Sequence, residues 1–132
     1  MISKQRGFSL IEVLITFVIL IVGIMGLVKL QTYMERQADY AEHSIKALHL
    51  AEAQLEYFRS RSISGANGTI VFNSISDGQS VSGPYITEWK ITNSLNDKLK
   101  VIDIETGWKN RWNERQSVAL RTMISQYNEF DN

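Results

Sequence analysis

The chain has 132 residues, among them 14 basic and 14 acidic side chains and no cysteine. This length is enough for one domain, or for a small domain with an appendage. The absence of cysteine excludes disulfide bonds, a thiolate nucleophile and cysteine-ligated metals. A formal net charge of zero removes any general electrostatic attraction to nucleic acid. A collagen-like fibre is excluded as well, because the chain has one proline and no G-x-y repeat.

An apolar run near the amino terminus is the most conspicuous feature of the sequence. Of the 21 residues from 8 to 28, 16 are apolar and only one, Glu12, is charged. A helix of this length spans about 31 Å, which matches a hydrocarbon core of about 30 Å. Each Leu, Ile, Val or Phe contributes about −0.3 to −0.6 kcal/mol to insertion, and the cost of Glu12 is reduced by its position near one end. Residues 8–28 are therefore predicted to form a transmembrane helix.

Basic residues precede this run and predict its orientation. Lys4 and Arg6 favour a cytoplasmic amino terminus, so the rest of a single-pass chain is expected outside the cytoplasm. An ordinary secretory signal peptide fits poorly, because no small-residue cleavage site follows the run. Instead a small residue, Gly7, stands directly before it.

The sequence Gly-Phe-Ser-Leu-Ile-Glu at residues 7–12 resembles the processing site of type IV pilins and their relatives. The resemblance implies that residues 1–7 are a leader and that prepilin peptidase cleaves between Gly7 and Phe8. It implies N-methylation of the new terminus on Phe8, and pairing of the Glu12 carboxylate with the terminal amine of a neighbouring subunit during assembly. Such a pairing suits the position, because a carboxylate in lipid is costly unless a cation accompanies it.

A narrower resemblance continues along the helix. The pattern V-G-x-x-G-L-x-x-L-Q at residues 22–31 is similar to the minor pilin group called PilV. It implies a type IV pilin-like fold and a minor pilin that assists type IV pilus assembly, priming or modification. The implied partners are prepilin peptidase, other minor and major pilins, and the inner-membrane pilus assembly platform. The implied location is the bacterial inner membrane, with a periplasmic head, and later the pilus.

Two other functions remain open beside this one. A minor pseudopilin of a type II secretion system shares the amino-terminal signature, and a DNA-uptake or adhesion pilin is a further alternative. An enzyme is not predicted, because no nucleophile–base set, metal cluster or phosphate-binding loop is visible in the sequence. No catalytic residue, cofactor or metal site is therefore predicted.

The apolar run leads into an amphipathic segment, residues 29–60. No helix breaker occurs there, and small or apolar residues recur at steps of three and four: Ala38, Ala41, Ile45, Leu48, Ala51, Leu55 and Phe58. This period predicts one continuous helix over residues 8–59. The alternative is two helices with a kink near Gly23 and Gly26.

Polar residues on this helix have ordinary explanations. His43 and His49 are six residues apart, about 240° around a helix, so they are not expected to share a metal. Both are predicted to be surface or partly packed residues. An acidic edge formed by Glu35, Asp39 and Glu42 is predicted to be solvated, with a subunit contact as the alternative.

A Gly- and Ser-rich region, residues 61–84, follows the helix and is predicted to be loop. Turn signals occur as Asn-Gly at 67–68 and Asp-Gly at 77–78, with at best a short strand at residues 69–72 between them.

Period-two patterns from residue 85 onward predict an antiparallel sheet head, residues 85–132, with strands at 85–93, 98–108 and 115–125. A change of apolar phase near residues 101–102 suggests a bulge. One sheet face is expected to pack on the helix stripe at Ile45, Leu48, Leu55 and Phe58, giving a two-layer α+β fold. Residues 126–132 are expected to be loosely held.

Residues 107–115 combine two tryptophans with Lys109, Arg111 and Arg115. Such a patch is able to bind single-stranded nucleic acid, because bases stack on aromatic rings and phosphates pair with cations. The favoured interpretation is the tip of the hairpin between the last two strands, with Trp108 and Trp112 partly packed and the charges solvated. Nucleic-acid binding is therefore not predicted as the main function.

Overall fold

A computed structural model of the chain describes residues 7–62 and 70–127. It confirms the α+β class, with one long N-terminal helix and a four-stranded antiparallel sheet. The elements in chain order are α1 Leu10–Arg59, β1 Arg61–Ser62, β2 Ile70–Val71, a 3-10 turn Phe72–Ser74, β3 Gly78–Ser82, β4 Tyr85–Ser94, β5 Leu99–Lys109 and β6 Arg115–Ser125. The chain divides into two compact units, an N-terminal unit, Met1–Ala38, and a head unit, Asp39–Asn132.

In the N-terminal unit, helix α1 begins at Leu10, two residues after the predicted start. The Ser9 carbonyl accepts hydrogen bonds from the backbone N–H of Glu12 and Val13, at 3.0 and 3.2 Å, which closes the first turn. The backbone stays α-helical through Gly23 and Gly26. The prediction of one continuous helix is therefore confirmed from Leu10 to Arg59.

In the head unit, the buried face of α1 differs from the predicted stripe. Asp39, Ala47, Ala51 and Phe58 are buried, and Leu55 packs against the core. Ile45, which was expected to be buried, is 58% exposed. The buried residues Asp39, Ala47 and Ala51 are separated by multiples of four residues and so form one row along the helix. This row faces the sheet instead of the predicted stripe, because the small side chains at positions 47 and 51 let the sheet approach the helix closely. A residue two positions from that row points about 200° away from it.

The sheet covers this helix face with two apolar clusters. The larger cluster joins helix, loop and sheet residues: Ala51, Phe58, Phe72, Ile75, Ile102, Ile104 and Ile124. The smaller one joins Ala47, Tyr85 and Trp108. Strand β5 contributes to both clusters, so the removal of its inward side chains from water is a central stabilising contribution of the head.

The strands follow the order β3-β4-β5-β6, and each pairs with its neighbour in the chain. The three predicted strands are confirmed within one or two residues at each end. The predicted bulge is wrong, because Ile102 pairs with Ile91 and Val101 pairs with Thr92 in an unbroken ladder. Inward-facing side chains of β5 alternate regularly, but the inward residue two positions before Ile102 is Lys100. A lysine at this position breaks the apolar pattern and imitates a change of phase.

That lysine, Lys100, is only 5% exposed. Its Nζ donates a hydrogen bond to Asn93 Oδ1 at 2.9 Å and lies 5.4 Å from the centroid of the Phe72 ring. The acceptor satisfies the ammonium group and the aromatic face stabilises its charge. A lysine therefore occupies a core-facing position without interrupting the strand.

Strand β3 was not predicted, because its sequence Gly-Gln-Ser-Val-Ser carries little apolar content. It is held at the sheet edge by the indole of Trp89, which lies over Gly78, its partner in the ladder. A Cβ at Gly78 would lie 2.7 Å from Trp89 Cζ2, so only glycine fits without displacement. Trp89 Nε1 donates to the Ser76 carbonyl at 3.0 Å, and the backbone N–H of Ile91 donates to Asp77 Oδ1 at 2.7 Å.

The remaining predicted elements are partly described. Of the short strand expected at 69–72, Ile70–Val71 forms β2 and pairs in parallel with β1. Phe72 belongs to the 3-10 turn instead. The Asn-Gly turn at 67–68 and residues 128–132 of the tail lie outside the described residues.

Candidate functional site

The segment Gly7 to Ser9 precedes the first helical residue and is neither helix nor strand. Gly7 has no atom within 4 Å of the position that a Cβ would occupy, and Phe8 is 84% exposed. The peptide bond between these two residues is therefore open on its described sides. This geometry suits cleavage, because a peptidase needs an accessible backbone outside regular hydrogen-bonded structure.

Glu12 lies in the first turn of α1 and is exposed. A carboxylate at this position is stabilised by the partial positive charge of the helix N-terminus. In the sequence, Glu12 is four residues after Phe8, which would become the new amino terminus after cleavage. The predicted site residues Gly7, Phe8 and Glu12 thus occupy one short stretch at the start of the helix.

Beyond Glu12, the apolar side chains of the N-terminal unit form an exposed belt. Exposure of the large apolar residues in this stretch ranges from 40% at Ile21 to 66% at Leu27. By length and composition α1 is able to cross a membrane, and its most apolar stretch lies near the amino terminus. An apolar belt of this size is unstable in water and requires lipid or other apolar helices around it.

A comparison with known protein families matches residues 2–28 to the model of the prokaryotic N-terminal methylation motif. The match contains the basic leader, Gly7, Phe8, Glu12 and the apolar belt. It supports a type IV pilin-like or pseudopilin-like protein, with processing by prepilin peptidase and anchoring in the membrane. Pilin-like proteins with this motif are structural subunits. No curated protein and no solved structure matches the chain.

The head unit contains a second group of interacting polar and aromatic residues, centred on Asp39. The Asp39 side chain is 3% exposed, and its Oδ1 lies 3.0 Å from Arg111 Nε and 3.8 Å from His43 Nε2. The prediction of a solvated acidic edge is therefore wrong for Asp39. It holds for Glu35 and Glu42, which are exposed.

His43 connects this group to the sheet. Its Nδ1 lies 2.6 Å from Tyr85 Oη, and its ring stacks on Trp108 with a centroid distance of 6.2 Å. The Tyr40 ring packs near the same indole, with a distance of 5.8 Å between the ring centroids. The prediction of a partly packed histidine is confirmed for His43, while the other histidine, His49, is exposed beside Glu52.

Two atoms of this group are buried without a hydrogen-bond partner among the described residues, Asp39 Oδ2 and Trp108 Nε1. Unsatisfied buried polar atoms are costly, so the surrounding contacts must compensate for them. Within residues 7–62 and 70–127, no group of three or more His, Asp or Glu side chains is arranged to hold a metal ion. The ion pair between Arg111 and Asp39 connects the hairpin tip to the helix.

The tip itself, between β5 and β6, is confirmed as a hairpin loop. Asn110 Oδ1 accepts hydrogen bonds from the backbone N–H of Trp112 and Glu114, at 3.0 and 2.8 Å, and Asn113 adopts a φ of +62°. Trp108 is fully buried rather than partly packed, and Trp112 is 37% exposed. The charges of the tip are solvated as predicted, since Lys109 and Arg115 are exposed and the Arg111 side chain is 78% exposed even though its Nε lies 3.0 Å from Asp39 Oδ1.

An ion pair on the surface of α1 shifts the pKa of both partners, lowering that of Glu42 and raising that of Lys46. Lys46 Nζ donates to Glu42 Oε1 at 2.8 Å. This hydrogen bond, with the charge of Lys46, holds the pKa of Glu42 below its ordinary value. Both groups are exposed, so the pair contributes little to stability.

Sequence reasoning missed the Asp39 cluster because its members are far apart in the chain. One local pattern could have indicated it. Asp39 is in phase with Ala47 and Ala51 at four-residue steps, on the row that faces the sheet. A buried carboxylate on that row requires a cation from another element.

Proposed function

We propose that the chain is a minor pilin that takes part in type IV pilus assembly, priming or modification. The observation that carries this proposal is the methylation motif at residues 2–28, which includes the start of an exposed apolar helix. In the proposed pathway, prepilin peptidase removes residues 1–7 and methylates Phe8. The subunit is held in the bacterial inner membrane with its amino terminus in the cytoplasm and its head in the periplasm, until it enters the filament.

The proposed partners follow from this role: other minor and major pilins, which surround the apolar belt with their own helices, and the inner-membrane assembly platform. The likeness of residues 22–31 to the PilV group favours a pilus. The head fits a structural role, because its polar cluster connects elements of the same chain.

Intact mass of the purified full chain, produced with and without prepilin peptidase, tests the proposed processing. With the peptidase, we expect the mass of residues 8–132 plus one methyl group. Gly7→Leu is expected to block cleavage, because a large side chain replaces the small residue before the scissile bond. Gly23→Ala is the matched control, since a Cβ there meets no atom within 4 Å. A processed Gly7→Leu protein, or an unmodified wild-type mass, would contradict the proposal.

A minor pseudopilin of a type II secretion system is the alternative, since it carries the same amino-terminal motif. A deletion strain separates the two roles. Loss of surface pili with normal protein secretion supports the pilus role, whereas normal pili with impaired secretion supports the alternative. A strain with normal pili and secretion but reduced DNA uptake or adhesion would favour a specialised pilin.

A further inference from the structure

The hairpin between β5 and β6 ends in a positively charged surface, residues 109–115, called here the basic tip. Its three cations are Lys109, Arg111 and Arg115, and all three are exposed. The basic tip contains one acidic residue, Glu114, so its formal charge is three minus one, or +2. The turn at the opposite end of β5, residues 95–98, carries one acidic and one basic residue and is neutral. The sheet therefore has one positively charged end and one neutral end.

Two of these cations stand opposite each other on the sheet face that points away from α1, called here the outer face. Lys109 and Arg115 are partners in the β5–β6 ladder, and like charges in such a position repel each other. Neither forms an ion pair with an acidic side chain of residues 7–62 and 70–127. Farther along the same face, by contrast, Arg121 donates two hydrogen bonds to Asp103, at 2.5 and 3.2 Å. An anion bound between Lys109 and Arg115 would relieve their repulsion.

A groove of about 370 Å³ lies beside these two cations. Pro84, Ile86 and Gly107 give it an apolar wall, and Arg115 Nε lies 3.7 Å from the position that a Cβ of Gly107 would occupy. Glu88 also borders the groove, one row of the sheet farther from the basic tip. Negative charge is therefore favoured only at the end of the groove that carries the cations. A phosphodiester attached to apolar carbon fits these walls, because its charge meets the cations and its carbon atoms meet the apolar wall.

Trp112 adds an indole to the basic tip and is 37% exposed. Tryptophan is typical of membrane interfaces, because its apolar ring and polar N–H suit the headgroup layer. Single-stranded nucleic acid would require several exposed rings for successive bases to stack on. Trp108, the other indole of this hairpin, is buried and does not offer its ring for stacking. Exposed cations with one exposed indole therefore favour an anionic lipid surface over nucleic acid.

The basic tip contacts the end of the head that is joined to the N-terminal unit. Arg111 Nε lies 3.0 Å from Asp39 Oδ1, and Asp39 is the first residue of the head unit. Residues 29–38, which separate Asp39 from the apolar run, are helical and extend about 15 Å. The headgroup layer of a bilayer occupies about 5–8 Å beyond the hydrocarbon core on each side. In the proposed membrane-anchored state, this short connection keeps Asp39 close to the headgroups.

From these observations we propose that the basic tip binds the anionic phospholipid surface of the membrane that holds the N-terminal unit. Lys109 and Arg115 bind headgroup phosphates at the basic end of the groove, and Trp112 lies among the headgroups. Attraction to an anionic surface falls off within a Debye length, about 8 Å at physiological salt, so the contact depends on the short connection. The proposal rests on the membrane anchoring of the proposed function, but not on the choice between a pilus and a secretion system.

Quenching of tryptophan fluorescence tests the contact in the full chain, reconstituted in lipid nanodiscs. A spin label on the lipid headgroups quenches indoles at the membrane surface, and the difference between wild type and Trp112→Phe isolates the signal of residue 112. We expect this signal to be quenched about twofold more in discs with phosphatidylglycerol than in discs of phosphatidylcholine alone, because the cations attract the anionic surface.

The matched control moves the exposed indole to the neutral end of the sheet. Trp112→Phe combined with Leu95→Trp places it at a residue that is 71% exposed, in the turn at the opposite end of β5. The 11 residues of β5 extend about 37 Å, so this indole is expected to lie beyond the headgroup layer and to show little quenching in either type of disc.

Removal of charge then tests which residues make the contact. Lys109→Gln combined with Arg115→Gln is expected to lower the quenching in anionic discs to the level in neutral discs. Lys90→Gln combined with Lys98→Gln removes the same charge from exposed sites elsewhere in the head and is expected to retain most of the quenching. In the wild-type chain, salt at about 1 M is expected to have the effect of the first double variant, because the Debye length falls to about 3 Å.

Co-purification of the chain with the discs reports anchoring separately from the contact of the head. A chain that does not remain with the discs contradicts the anchoring itself, whereas an anchored chain without the expected quenching overturns only the lipid contact. Equal quenching in anionic and neutral discs, or an equal loss in the two double variants, would also overturn it. The same holds if the signal of residue 112 responds to a single-stranded oligonucleotide or to inorganic phosphate but not to anionic lipid.

Discussion

The N-terminal unit and the head unit use their apolar side chains in opposite ways. In the N-terminal unit, Leu20 and Val22 are 57% and 65% exposed, and their surroundings must come from lipid or from other helices. In the head, Ile102 and Ile104 are 0% and 1% exposed, because the sheet and residues 39–59 of α1 cover each other. The comparison shows that the first unit depends on its partners for stability, while the head obtains its stability from its own chain.

The largest expected effect tests the dependence of the N-terminal unit on partners. A Glu12→Gln protein is expected to insert, to be processed and to fold its head, but to enter filaments poorly. In the proposed assembly, the substitution leaves a desolvated terminal amine without its carboxylate, at a cost of about 3–5 kcal/mol. The measurement is the amount of this protein in sheared filaments relative to membranes. Glu35→Gln, an exposed carboxylate on the same helix, is the matched control. If Glu12→Gln and Glu35→Gln proteins enter filaments in equal amounts, the proposed assembly role of Glu12 is contradicted.

The next prediction concerns the self-sufficient core of the head. Ile102→Ala is expected to reduce the free energy of unfolding by about 2–5 kcal/mol, because it opens a cavity in a fully buried site. Urea unfolding of the full chain in detergent, followed by tryptophan fluorescence, measures the loss. Ile45→Ala, at an exposed site on α1, is the control and is expected to change little. A similar loss from both variants would contradict the observed orientation of the helix face.

A smaller effect is expected at the hairpin tip. Arg111→Ala leaves the buried Asp39 carboxylate without its cation and is expected to cost about 1–3 kcal/mol of head stability. Asp39→Asn combined with Arg111→Ala removes the unpaired charge and is expected to recover part of that loss. The same unfolding assay compares the variants. If the double variant is less stable than Arg111→Ala, the Asp39 charge is not the source of the cost.

The smallest effect is a dependence on pH at the outer face. The hydrogen bond from Arg121 holds the pKa of Asp103 below its ordinary value. A group whose pKa is lowered in the folded state stabilises the fold above its ordinary pKa, near 4, and loses that contribution as pH falls through the lowered value. In the Arg121→Gln variant, the free energy of unfolding is therefore expected to decrease slightly less than in the wild type as the pH falls below about 4. Lys90→Gln serves as the control on the same row, and an identical shift in both variants would exclude a specific contribution from Arg121.

The same comparison explains how much could be predicted from the sequence. The processing motif and the apolar belt are contiguous, so their pattern is visible without any tertiary structure. The three main strands could be predicted equally well, because inward and outward side chains alternate along a half-buried strand. The burial of Lys100 gave no local signal, and that of Asp39 was indicated only by its helical phase with Ala47 and Ala51. Each is accommodated by a partner from another part of the folded head, Asn93 for Lys100 and Arg111 for Asp39. Strand β3 was missed because one contact, Trp89 on Gly78, holds an otherwise polar segment.

The strand order β3-β4-β5-β6 also bears on how the head reaches its structure. Each strand finds its partner among residues that follow directly in the chain, so every pairing closes only a short loop and the entropy lost in closing it is small. Sheets built from such neighbouring pairs have low contact order and fold faster than sheets with crossover connections. The sheet can therefore be completed hairpin by hairpin in the order of synthesis, and β6 is the last strand to add.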